Sequence, residues 1–200
     1  MAELLPALSR RFSCRRFKSR PVADDALGVV LEAGRIAPSA VGIEPWRFIV
    51  VQSPAAKEKV AAACHGQSPA ATAPVLIAIV ALVDALAPGS VFVEDRLAAE
   101  AGTSPPPEWL REAYRNMYAH IVPESWAVSQ CCFAAAQMMA QATALGLGSC
   151  PMGGFDEGAL AAALELPKGE VPALVLALGH CDEKQGERRR RGRDEVVTVI

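Results

Sequence analysis

SWAVSQCCFAAAQMMAQATALGLGSCPMGGF, Ser125 to Phe155, is 31 residues without a charge in a chain that is 21% charged. Ala, Met, Gln and Leu favour helix, which predicts one from Ser125 to about Leu145, opened by Pro123 and Ser125 and stopped at Gly146 and Gly148. A membrane span is the first alternative. Ser129, Gln130, Gln137, Gln141 and Thr143 weigh against it, because a lipid-facing run of ~20 residues seldom carries so many polar groups. A water-soluble helix with no charged face has to be buried all round. In a chain this short, that predicts a second subunit supplying part of the cover, with Ala134, Ala135 and Ala136 as the smooth side.

Around this helix, 200 residues with 52% hydrophobic content fit one sizeable domain. A net charge of −2 and a pI near 6.0 give no global field for nucleic acid or an anionic membrane. The first residues, MAELLPALSRRFSC, show neither the apolar core nor the cleavage site of a secretory signal. Cys14, Cys64, Cys131, Cys132, Cys150 and Cys181 have no CxxC and no regular spacing, so they read as reduced thiols of a cytoplasmic protein.

The pattern predicts a short helix at Glu3–Ser9 and another opened by Asp24 and Asp25, with Leu27, Val30, Leu31 and Gly34 on one face. A loop, IAPSAVGIEPWRF, leads into a strand at Phe48–Gln52, and a helix follows at about Pro54–Cys64. A small-residue loop spans His65–Thr72, and Val75–Val83 is a second strand. Asp84–Pro107 is rich in Pro, Gly and Ser and reads as a mobile insertion, continued by a helix at Trp109–His120, so that 84–118 forms a lid. After the central helix come a Gly-rich turn, a helix at Asp156–Leu164, a strand at Pro172–Gly179 and a terminal strand at Val196–Ile200. The strands are apolar on both faces, which predicts a sheet covered on both sides.

Arg10, Arg11, Arg15, Arg16 and Lys18 place five cations in nine residues. They are either a solvated charge run or a phosphate site, since guanidinium forks match phosphate oxygens. The run Arg188–Arg193 either completes such a site or is a basic tail. Pro151–Gly154 either presents bare N–H groups to a planar ligand or simply joins two elements. Gly146-Leu147-Gly148 follows a helix and lacks the third glycine, so it is no dinucleotide fingerprint. Cys64-His65 with His180-Cys181 lacks the usual zinc spacing.

In their order, Arg11-x-Ser13-x-Arg15-x-Phe17, Ala37-Pro38-Ser39 through Pro45-Trp46-x-Phe48, Leu145-Gly146-Leu147-Gly148 to Pro151-x-x-Gly154-Phe155, Leu178-Gly179-His180 and the arginines before Glu195-Val196-Val197 resemble the nitroreductase family of FMN-dependent oxidoreductases. The resemblance implies an α+β fold with a mixed central sheet flanked by helices, and a long central helix at a homodimer interface. It implies two FMN sites between subunits, and a C-terminal arm, 188–200, crossing to the partner. Arg11, Phe12, Ser13 and Arg15 would then hold the flavin, with Arg11 at the phosphate and Arg15 at the pyrimidine edge. Arg188 and Arg190 would close over the phosphate. Pro38, Ser39 and Gly42 would come from the partner, and Gln67 would make a polar contact to the ring. Pro151, Met152, Gly153 and Gly154 would lie along the ring, with the Gly153 N–H at N5. No metal and no side-chain acid or base is implied.

Gly42 and Glu44 depart from the family's usual Asn and Gln, and Gly153 replaces a Glu. The implied activity is ping-pong hydride transfer from NAD(P)H to small acceptors such as nitroaromatics, quinones or enones. The alternatives are a flavin sensor or storage protein without turnover and a nucleic-acid module. Balanced charge and the absence of a recognition motif argue against the last.

Overall fold

A computed structural model describes residues 3–200. Its centre is a four-stranded sheet of β1 (Trp46–Val51), β2 (Val75–Leu82), β3 (Gly148–Met152) and β4 (Glu170–Gly179), in the order β1-β2-β4-β3. These strands pair antiparallel throughout, and the parallel element of the expected mixed sheet is an isolated bridge between Ser13 and Ser149. Alternation along β2 sends Val75, Ile77, Ile79 and Ala81 to one core and Leu76 and Ala78 to another. Both faces are therefore buried, as the continuous apolar runs require. The register slips between Ile79 and Val80, opposite the stretch holding Pro172. β3 pairs only with residues from Val175 onward, so the proline lies where its missing N–H has no second neighbour to serve.

The first face is covered by α2 (Asp24–Arg35) and by α7 (Pro123–Ala144), the helix of the opening stretch. The second is covered by α3 (Pro54–Ala63) and α8 (Glu157–Ala163). Gly146, at φ +74°, ends α7 in a Schellman motif, with Leu147 N–H on the Ala142 carbonyl and Gly146 N–H on that of Thr143. The chain then turns straight into β3. Within one chain α7 is not buried all round. Ala127, Cys131, Ala134, Ala135, Met138 and Ala142 face the core, while Ser129, Cys132, Phe133 and Ala136 are exposed. Ala135 thus belongs to the chain's own interior, at 3% exposure, and not to an open smooth side.

Four local expectations are corrected. His65–Thr72 contains a short helix, α4 (Ser68–Thr72), and the Gly-rich turn begins as β3. The segment 84–107 holds α5 (Val91–Ala101), because its Gly and Pro residues lie outside the helix ends. Ser90 Oγ caps the Val93 N–H at 3.1 Å, and Gly102 closes the helix at φ +65°. Leu86, Val93 and Leu97 are buried, so this segment is built into the core. The terminal strand is absent: α9 (Arg193–Val196) precedes extended, exposed residues, since a strand needs a partner and one chain offers none there.

In α6 (Glu108–Tyr118) the buried Tyr114 hydroxyl donates to the Leu86 carbonyl at 2.7 Å. Tyr114→Phe strands that carbonyl and should cost about 1–2 kcal/mol. Urea unfolding reads the loss; an unchanged midpoint would show that the bond contributes nothing.

Candidate functional site

The segment 13–18 forms no helix; it is stitched between two edges. Cys14 N–H bonds the Ser149 carbonyl at 3.0 Å, Lys18 N–H that of His180 at 2.8 Å, and Asp182 N–H that of Arg16 at 2.9 Å. The α4 side chains add to this, with Ser68 Oγ donating to the Arg15 carbonyl at 2.8 Å and Thr72 Oγ1 accepting from Phe17 N–H at 3.2 Å. The N-terminal arginines therefore stand on a fixed backbone, which a surface charge run would not need.

Arg11, Phe12, Ser13 and Arg15 line a cavity of about 300 Å³ together with Gln185, Gly186, Glu187, Arg188, Arg189 and Arg190. The two arginine clusters, with Arg11 and Arg188 177 residues apart in sequence, thus meet. Arg188 donates to the carbonyls of Ser9 and Arg11, which fixes its guanidinium against the first wall. Burial lowers the Arg11 pKa, and the charges of Arg188 and Arg190 lower it further. Glu187 on the rim is exposed, and among the described residues no buried carboxylate offsets this repulsion. Behind the cavity, burial raises the Cys150 thiol, while Arg15, a hydrogen bond with Ser13 and Arg11 pull the other way. Ser149 Oγ, next to the Ser13 bridge, is buried without a hydrogen-bond partner among the described residues. Such an atom normally has one.

The remaining predicted residues fall into two groups. Gln67 and the end of β3 form the first: Gln67 Nε2 donates to the Gly154 carbonyl at 2.6 Å, so its amide braces the main chain. Pro151 is exposed, and a Cβ added at Gly153 would meet nothing within 4 Å, which leaves that backbone open to a flat ligand. The Met152 side chain is buried in the second core, so only its main chain is free to face a ligand. Pro38, Ser39 and Gly42 form the other group, beyond the opposite face of the sheet, and line no part of the arginine cavity. Ser39 Oγ accepts from Glu44 N–H at 2.8 Å, and Gln130 Oε1 from Ala40 N–H at 2.9 Å.

Sequence reasoning missed the partners of the 38–44 loop. Arg96 donates to the Gly42 carbonyl at 3.2 Å and to Glu44 Oε1 at 2.6 Å. A Cβ on Gly42, itself at φ +58°, would stand 2.4 Å from Glu100 Oε2. The departures at 42 and 44 are therefore matched to α5. Gly42→Asn should force Glu100 aside and cost about 1 kcal/mol at the left-handed backbone position, read as a lowered thermal midpoint; an unshifted midpoint would mean that Glu100 yields freely.

Also missed was the disulfide between Cys14 and Cys181, with Cα atoms 5.9 Å apart and 167 residues between them in sequence. It corrects the expectation that all six cysteines are thiols, and it commits Cys181 away from any zinc set. No spacing rule could have paired two cysteines so distant. Cys131 is buried and pushed up to about 12, an inert packing thiol, whereas Cys132 is exposed.

The family model described as Nitroreductase matches residues 8–180. The chain belongs to the nitroreductase family. A Thermus thermophilus relative named NADH dehydrogenase is 36% identical over 196 residues, covering 96% of this chain and 92% of its own. A Staphylococcus haemolyticus relative, provisionally named an NAD(P)H nitroreductase, is 29% identical over 98% of this chain and 97% of its own. Among solved structures, a Bacillus subtilis protein provisionally named a nitroreductase superposes with a TM-score of 0.84 at 19% identity, over 97% of each chain. One from Exiguobacterium sibiricum, provisionally named a nitroreductase and solved in complex with FMN, superposes at 0.81 with 23% identity, over 100% of this chain and 98% of its own. This nitroreductase-family oxidoreductase has the α+β fold of those structures. Among the described residues, no helix is long and apolar enough to cross a membrane.

Proposed function

We propose that this protein is an FMN-dependent NAD(P)H oxidoreductase that reduces small acceptors (nitroaromatics, quinones or enones) by a ping-pong route in the cytoplasm. The observation that carries this reading is the arginine cavity, where two distant basic clusters converge without a buried carboxylate. Its volume lies at the low end of the range for small-molecule pockets, so it suits one end of a cofactor rather than the whole. Arg11, Arg188 and Arg190 would hold a phosphate, for which charge-assisted forks are the strongest neutral-pH donors. Arg15 would stabilise negative charge on a ring lying against the open backbone at Gly153.

When bound, FMN supplies the two-electron chemistry between NAD(P)H and the acceptor. The chain's part is to bind, orient and exclude water. Pro38, Ser39 and Gly42 line no part of the arginine cavity of their own chain, which supports a homodimer in which they complete the partner's site. The exposed residues of 84–118, Trp109 foremost, would shape the acceptor pocket as its lid. The FMN complex of the Exiguobacterium protein and the nicotinamide-linked names of the relatives support the cofactor assignment.

The test is an anaerobic visible spectrum of the FMN-loaded protein. Addition of NADH or NADPH should bleach the flavin, and a quinone should restore it. A bound flavin that neither nucleotide bleaches would favour the sensor or storage reading. A protein that does not bind FMN would end both.

A further inference from the structure

We infer that the Cys14–Cys181 pair is a redox site that sets how firmly the arginine cavity closes on its anionic ligand. The inference rests on the proposed FMN site for the identity of that ligand. Its evidence is the position of the disulfide. Cys14 lies between Ser13 and Arg15, both of which line the cavity, and Cys181 lies four residues before Gln185, where the second wall begins. The disulfide therefore joins the two walls at their common root.

Little else holds the second wall. Residues 184–192 have no helix or strand, and each is exposed. The non-covalent ties back to the first wall are the Lys18–His180 and Asp182–Arg16 backbone bonds at its root and, beyond them, only side-chain contacts: Glu183 accepting from Arg15 N–H, Arg16 reaching Asp182, and Arg188 on two carbonyls. Most are solvent-accessible, and exposed pairs of this kind contribute little. Opening the disulfide would leave the arginines of residues 188–190 on a limb anchored mainly by such contacts. The ordering cost of that limb would then fall on ligand binding.

The chain also makes room for this one covalent link. A Cβ at Gly148 would lie 3.0 Å from the Cβ atoms of both Cys14 and Cys181, so the disulfide packs onto the backbone of β3. In a reducing cytoplasm, a disulfide is more often a redox-sensing pair than a permanent brace. Cys14 is fully buried and Cys181 half-buried, so a thiolate reaches Cys181 first. A dithiol reductant would attack Cys181 Sγ, form a mixed disulfide and release Cys14 as thiolate. Its second thiol then resolves the mixed disulfide. Two electrons and two protons pass to the cysteines, and the reductant leaves as its cyclic disulfide.

The experiment compares the oxidised protein, the dithiothreitol-reduced protein and Cys181→Ser, each titrated with FMN and counted for free thiols. Apoprotein samples are digested briefly with trypsin, whose sites crowd residues 188–193. Oxidised wild type should show four thiols and reduced wild type six. Reduction should weaken FMN binding about tenfold and speed cleavage of the limb. Cys181→Ser should match the reduced protein with or without dithiothreitol. Six thiols before reduction, or equal FMN affinity and equal cleavage in both states, would overturn the inference. Failure of every sample to bind FMN would instead reject the proposed cofactor, and the tryptic comparison would still decide whether the disulfide holds the limb.

Discussion

Arg11→Ala should weaken FMN binding by about tenfold to a hundredfold, and Arg188→Ala by a similar factor. Each guanidinium that makes a charge-assisted contact contributes about 1.5–3 kcal/mol, and every 1.4 kcal/mol is roughly tenfold in affinity. The ligand-free protein should respond in the opposite sense. Arg11 is repelled by Arg188 and Arg190, so removing its charge relieves a repulsion that only a bound anion compensates. Arg11→Ala apoprotein should therefore melt no lower than wild-type apoprotein. The thermal shift on adding FMN, which follows the logarithm of ligand concentration over Kd, should shrink in the variant. Fluorescence titration and paired melting curves measure both effects. Equal FMN affinity in wild type, Arg11→Ala and Arg188→Ala would remove the arginine cavity from the cofactor site.

That cavity was half legible in the sequence. Composition placed cations at Arg11, Arg15, Arg188 and Arg190, but the convergence of the two clusters depends on the path of β4 and on the Cys14–Cys181 link, neither of which is local information. The helix of the opening stretch was legible for the opposite reason: a run of helix formers ending at a left-handed glycine is a local signal, and its termini fell within two residues of expectation. Composition misled at 84–107, where Gly and Pro mark the ends of α5 and not a loop through it. The pairing of Glu44 with Arg96 had no sequence signature, because it joins a loop to a helix 52 residues away. Nor could an uncharged helix disclose which of Ala134, Ala135 and Ala136 faces its own chain. Successive helical positions are turned by about 100°, and only the packing of α2 and the sheet selects among them. The strand expected at Val196–Ile200 needs a partner edge, so its sequence alone cannot form it.

The same geometry makes Ala136, and not the buried Ala135, the position at which to test assembly. Phe133 is 51% exposed on the uncovered side of α7, with Ser129, Cys132 and Ala136 around it, and none of these positions carries a charge. Val199 and Ile200 add further exposed apolar surface near the C-terminal end. Exposed apolar surface on an uncharged helix face is where a partner would pack. An obligate homodimer would cover more than about 2,000 Å² in total, mostly apolar. We therefore expect wild type to sediment as a dimer and Ala136→Glu to sediment as a monomer with its helical circular dichroism intact. Flavin should leave with the partner, since Pro38, Ser39 and Gly42 do not reach the cavity of their own chain. Ala135→Glu should behave differently: a carboxylate buried among Ala134, Met138 and the sheet has no cation to pair with, and the fold itself should fail. The contrast between two adjacent alanines separates loss of assembly from loss of structure. Sedimentation velocity and flavin fluorescence, followed on the same samples, decide it. A wild-type monomer that holds one FMN per chain would show that the exposed side of α7 has another purpose and that a single chain completes the site.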